Sequence, residues 1–155
     1  MIKTHVNHIY ERVVSESLII MFTVTEAFAQ FKLNLVLAKM EKAHRKLERR
    51  LIIIRLAGDA MSDGDSTTAI KLAIKYYTYS RGGYNPRVND IMRDALAQHV
   101  TSLVEQAMEV PTLDDKLVFV QQALTDIEKY KKWLMPDSRK AILPHLQMMV
   151  FEIID

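Results

Sequence analysis

From about Val6 to about Leu56 the chain contains neither proline nor glycine, and no other feature constrains its fold as strongly. Proline and glycine are the residues that most disfavour a helix interior, so a run of this length without either predicts one long helix or two in line. Phe22, Val24, Phe28, Phe31, Leu35 and Leu37 are among its apolar residues. The β-prone stretch from Leu18 to Thr25 marks the place where two such helices would part.

The four glycines and four prolines all lie beyond this run and punctuate the rest of the chain. Ala57-Gly58-Asp59 and the stretch from Ser62 to Ser66 are the first turn signals, and Asp65 or Ser66 can cap a helix there by accepting a bond from a free amide. That helix runs to about Ser80, with Ala69, Leu72, Ala73 and Tyr76 on one face. Arg81-Gly82-Gly83-Tyr84-Asn85-Pro86 interrupts again, because Pro86 holds Asn85 extended. A helix from about Arg87 to about Glu109 then places Ile91, Leu96, Val100, Leu103 and Ala107 inward. After Pro111, Thr112 to Asp115 has capping-box spacing with a short Asp in place of Glu, ahead of Leu113, Leu117, Val120, Leu124 and Ile127. Met135-Pro136-Asp137 separates a last helix, which Pro144 should kink unless it lies near the first turn.

No segment alternates as a half-buried strand does, and no period of 34 residues repeats. The expected class is therefore all-α: a single-domain bundle of five or six helices with a long N-terminal helix. Residues 1–56 form a helical arm carrying a basic segment at 32–55, and 57–155 form the bundle. With 155 residues, 49% of them hydrophobic, there is enough chain for one sizeable core.

The absence of cysteine excludes disulfides, thiolate metal sites and cysteine nucleophiles, and permits a cytoplasmic location. The longest uncharged run of the N-terminal stretch, Ser17 to Thr25, is shorter than the roughly 20 apolar residues of a membrane span, and no small-residue cleavage site follows Lys3. The expectation is an unprocessed chain that does not enter a membrane.

Net charge is +2, but it is unevenly spread. Between Lys32 and Arg55 eight cations face only Glu41 and Glu48, whereas 105–155 sums to −3. A concentrated basic helix can track a phosphate backbone by displacing its counterions, and it can equally be a solvated helix face. Lys39, Lys42, Arg45, Lys46, Arg49 and Arg50 are the candidate phosphate contacts, with Arg81 or Arg87 available to a base.

Other candidate chemistry is weak. His5 and His8 have no carboxylate at ligand spacing, His44 lies in the basic segment, and His99 sits beside core positions as a satisfied histidine would. Asp59, Asp63 and Asp65 surround Gly64, but Ile70 stands where a calcium loop needs a bidentate Glu, so helix capping explains them better. Phosphate-binding glycine motifs, nucleophile elbows and metalloprotease patterns are absent, so no enzyme, cofactor or metal is expected. Tyr77, Tyr79 and Tyr84, with Arg81 and Arg87 around a glycine hinge, are candidate partner-binding residues; the alternative is that Tyr76 and Tyr79 are core and the others ordinary loop residues. The nine methionines, Met148-Met149 among them, fill a core or an oligomer seam.

Two resemblances add to this reading. Gly64 through Ala73 is similar to half of a tetratricopeptide repeat. Over more of the chain, the order of features resembles the small terminase subunit of temperate tailed phages that package DNA with cohesive ends. The resembling pieces are His8-Ile9-Tyr10-Glu11, the basic helix from Leu37 to Leu47, Asp63-Gly64-Asp65 with Ala69 and Ala73, and Pro86-Arg87. They continue with Glu105 to Met108 and with Met135-Pro136-Asp137 followed by Arg139-Lys140-Ala141. The chain departs from that pattern in ending Phe151 to Asp155 without a basic tail, and in a shorter stretch before Gly64. The resemblance implies a non-catalytic DNA-packaging adaptor that binds DNA, forms a homo-oligomer and delivers DNA to a large terminase subunit. The alternative is a small helical protein–protein adaptor that binds a phage or host protein without touching DNA.

Overall fold

The computed structural model describes the backbone of residues 2–154 and the side chains of residues 10–154. Among the described residues every regular element is helical: α1 (Ile2–Ser62), α2 (Ser66–Tyr79), α3 (Pro86–Glu109), α4 (Leu113–Tyr130) and α5 (Pro136–Phe151), with a 3-10 turn, Lys131–Trp133, between the last two. The chain divides into two compact units, residues 1–47 and 48–155. The second therefore takes in the last turns of α1, and Ile53 and Ile54, assigned from sequence to the arm, are buried in its core.

α1 is unbroken through the β-prone stretch from Leu18 to Thr25 and through Gly58, beyond the end expected near Leu56. Thr23 and Thr25 donate to the carbonyls of Ile19 and Met21, at 2.6 and 2.8 Å, so their hydroxyls are satisfied within the helix. The terminator is Gly64, at φ 78°, a conformation that side chains other than glycine adopt at a cost. The amide of Asp65 reaches back to the Ala60 carbonyl and that of Gly64 to Met61, closing a Schellman motif. Asp65 at once caps α2 by accepting from the Thr68 amide at 2.9 Å.

α2 ends by the same device with a different residue. Gly82 N–H bonds the Tyr77 carbonyl at 2.8 Å, but the left-handed position is held by Arg81, at φ 55°. α3 starts on Asn85, which accepts from Val88 N at 3.1 Å, with Pro86 in the first turn, where its missing N–H costs nothing. Thr112 caps α4 through the Asp115 amide, and the short Asp115 carboxylate takes the Thr112 hydroxyl. Pro144 lies inside α5, well past its first turn.

In the unit 48–155, α3 packs against α2, α4 and α5. Val88, Met92, Ala95, Leu96 and Val100 are fully enclosed, and they meet Ile70 and Ala73 of α2, Ile127 of α4 and Leu146 and Val150 of α5. Two polar bridges bind the layers. Asn89 is buried on α3, donates to Ser138 Oγ at 2.8 Å and accepts from Met135 N at 3.0 Å, joining α3 to the start of α5. His99 on α3 meets Asp126 on α4 at 2.9 Å, and Gln122 donates to the same carboxylate oxygen.

The unit 1–47 has a different character. Leu18, Ile20, Phe22, Phe28, Phe31 and Leu35 are all exposed on α1. With Glu26 and Lys32 tolerated, an 18-residue window of the helix reaches a mean hydropathy of 1.3 with none of it buried, so by length and composition α1 could cross a membrane. The uncharged run alone understates this. The energetic case for a span is balanced: its Leu, Ile, Phe and Val residues each favour the bilayer by about 0.3–0.6 kcal/mol, while an ion near the centre costs about 2.5–3.5 kcal/mol. Glu26 and Lys32 together offset most of what the apolar residues supply.

Met92→Ala should lower the unfolding free energy by about 2–5 kcal/mol in urea titration, because α3 is held on three sides and the site cannot collapse. Arg81→Gly should raise it by up to about 1 kcal/mol by relieving the left-handed backbone. A loss of stability in Arg81→Gly would show that the arginine side chain, and not its backbone, matters there.

Candidate nucleic-acid interface and partner surfaces

The six predicted phosphate-binding residues fall in both units. In the unit 1–47, Lys39, Lys42, Arg45 and Lys46 are exposed on α1. Steps of three and four residues put Lys39, Lys42 and Lys46 on one helix face, and Glu41 lies well round the circumference. Arg45 is turned toward that acid, its guanidinium 3.8 Å from Glu41. Three aligned ammonium groups within about two turns can follow a row of phosphates.

In the unit 48–155, Arg49 is exposed, and Arg50 is half-buried with its Nε enclosed and without a hydrogen-bond partner. Arg49 borders a groove of about 330 Å³ whose walls are Ile52, Ile53 and Leu56 of α1 and Leu72, Lys75 and Tyr79 of α2. Its floor is apolar and its rim carries two cations. Arg81 is exposed in the left-handed turn position, and Arg87 is exposed with its guanidinium beside Gly58.

The three candidate partner-binding tyrosines have three different environments. Tyr84 is exposed, Tyr79 lies at the groove rim, and Tyr77 is buried. Tyr77 stacks on Trp133, ring centroids 6.2 Å apart and planes 16° from parallel, and meets Tyr76 edge-on at 5.9 Å. Its hydroxyl is enclosed and has no hydrogen-bond partner. Burial, with smaller contributions from Tyr84, Tyr76 and Asp90, pushes the phenol up to about 12. Beside it Gly82, Lys132, Met135, Pro136 and Arg139 line a shallow cavity of about 260 Å³. Arg139 is committed to the backbone there, donating to the Leu134 and Lys132 carbonyls at 2.7 and 2.9 Å.

Of the residues set aside in the sequence, His99 is half-buried against Asp126, while His44 and His145 are exposed. His5 and His8 lie outside the residues whose side chains are described. Asp65 caps α2, and its bonds to Thr68 hold the carboxyl below the usual range. Asp59 lies 3.9 Å from Arg55. Among the described residues no group of three or more His, Asp or Glu side chains could hold a metal ion. Sequence reasoning passed over Lys75, one of two lysines on α2, and Trp133. The only mark of Trp133 is that it is the one tryptophan in the chain. No family model, no curated protein and no solved structure matches the chain.

On alkaline titration followed by tyrosinate absorbance, one of the six tyrosines should ionise last, near pH 12, and Tyr77→Phe should remove that step. Because the folded value is raised, the corresponding stability is complete below about pH 10 and is lost as pH rises toward 12. Tyr77→Phe should be no less stable than the wild type at neutral pH, since the hydroxyl has no partner to lose.

Proposed function

We propose that this chain is a non-catalytic, DNA-packaging type of protein, similar in role to a small terminase subunit, that binds duplex DNA through α1 and oligomerises. The observation that carries this reading is the alignment of the exposed Lys39, Lys42 and Lys46 on one face of a continuous helix. Counterion release makes such a face a sequence-independent grip on DNA, and Arg81 or Arg87, both exposed on the unit 48–155, supplies any base contact. A large terminase subunit or a host factor is the protein partner that the resemblance implies.

A second reading, a protein–protein adaptor without DNA contact, has its own support. The groove between the end of α1 and α2 has helix-spaced apolar walls and Tyr79 at its edge, which suits a partner helix, and the exposed Tyr84 is of a type favoured at interfaces.

Fluorescence anisotropy with duplex DNA across a salt series separates the two. The wild type should bind with a steep salt dependence. Lys42→Glu with Lys46→Glu should weaken binding at least tenfold and flatten the slope of log K against log salt by about 0.9 for each phosphate no longer neutralised. A folded wild type that ignores DNA at low salt would transfer the function to the adaptor reading.

A further inference from the structure

Something must cover α1, and its residue spacing identifies what. From Tyr10 to Ala38, alternating steps of four and three residues land throughout on apolar or small side chains. Val14, Met21, Phe28 and Leu35 occupy one heptad position, and Tyr10, Val24 and Phe31 occupy the other, completed by the small Ser17 and Ala38. Such a 3.5-residue repeat keeps one stripe facing a neighbouring helix as the two supercoil. The next two positions of the pattern are Lys42 and Arg45, so the stripe stops where the basic segment begins.

The two ionised residues inside the apolar stretch discriminate between possible covers. A bilayer would surround the helix on every side and would have to take in Glu26 near mid-span. A helical neighbour leaves Glu26 facing water on the side away from the stripe. Lys32 falls at its flank, where its stem lies along the apolar surface and its ammonium sits 4.7 Å over the Phe28 ring. The stripe is about 42 Å long, so it needs an equally long partner helix. Helices α2 to α5, of 14 to 24 residues, are too short and are already packed into the unit 48–155. Among the described residues, the one helix with the required length and repeat is α1 itself.

We infer that α1 is covered by α1 of other copies of this chain, packed through the heptad stripe from Tyr10 to Ala38. This deepens the self-association in the proposed function and does not depend on DNA binding. It leaves Lys39, Lys42 and Lys46 beyond the packed length.

The test uses the full chain without DNA and compares two exposed residues of α1, Phe28 in the stripe and Ile19 on the far side, 58% and 65% exposed. Light scattering at low micromolar concentration should give a multiple of the chain mass for the wild type and for Ile19→Glu. Phe28→Glu should give the mass of a single chain, with the emission of Trp133 unchanged as the sign that the unit 48–155 remains folded. Phe28→Ala, which keeps helix propensity, should raise the dissociation constant at least tenfold. Lys42→Glu with Lys46→Glu should leave the mass unchanged, so loss of DNA binding and loss of assembly are read separately. A monomeric wild type, or equal effects of Phe28→Glu and Ile19→Glu, would overturn the inference. So would a wild type that floats with phosphatidylcholine–phosphatidylglycerol vesicles and does not self-associate in buffer.

Discussion

The unit 48–155 depends on the enclosure of α3. Its apolar residues supply the surface on which α2, α4 and α5 are laid, and a helix held on three sides keeps little solvent face along much of its length. Two of its polar residues are drawn into the same task. Asn89 and His99 each bond across to a neighbouring element, so α3 sets the positions of α5 and α4 by directional bonds as well as by burial. Everything displayed on this unit, from the α1–α2 groove to the Tyr77–Trp133 stack, rests on that central helix.

Much of this was legible in the sequence because the local signals agreed with the global arrangement. The apolar period of α3, the capping residues Asp65 and Thr112, the extended Asn85, and the prolines at the starts of α3 and α5 each stand where an element begins or turns inward. Positions that needed long-range information could not be read. Gly58 looked like a stop, yet only a glycine driven to positive φ ends the helix here, and that glycine is Gly64. Tyr77 and Tyr79, two residues apart on α2, point to different surroundings, one into the core and one to a groove rim, and composition alone cannot tell them apart.

The two units show opposite solutions to the same problem. Residues 48–155 bury their apolar residues against one another, while residues 10–47 display theirs along a single helix. In that setting the charged residues of α1 are more informative than the apolar ones. Glu26 and Lys32 mark which sides of the helix must stay wet, and the onset of lysines after Ala38 marks where an apolar seam has to end. The basic segment is thus best understood by its place along α1, next to an exposed apolar stretch.

The stack of Trp133 on Tyr77 has a practical consequence. As the only tryptophan in the chain, Trp133 supplies an optical signal from one known place, the junction of the 3-10 turn with the end of α2. Its emission therefore follows the integrity of that junction without any engineered label. Energy passing to it from Tyr77 and Tyr76 ties excitation of the tyrosines to the same spot. Motions of α1 that leave the junction intact are silent in this channel, and a change in its colour locates the event in the unit 48–155.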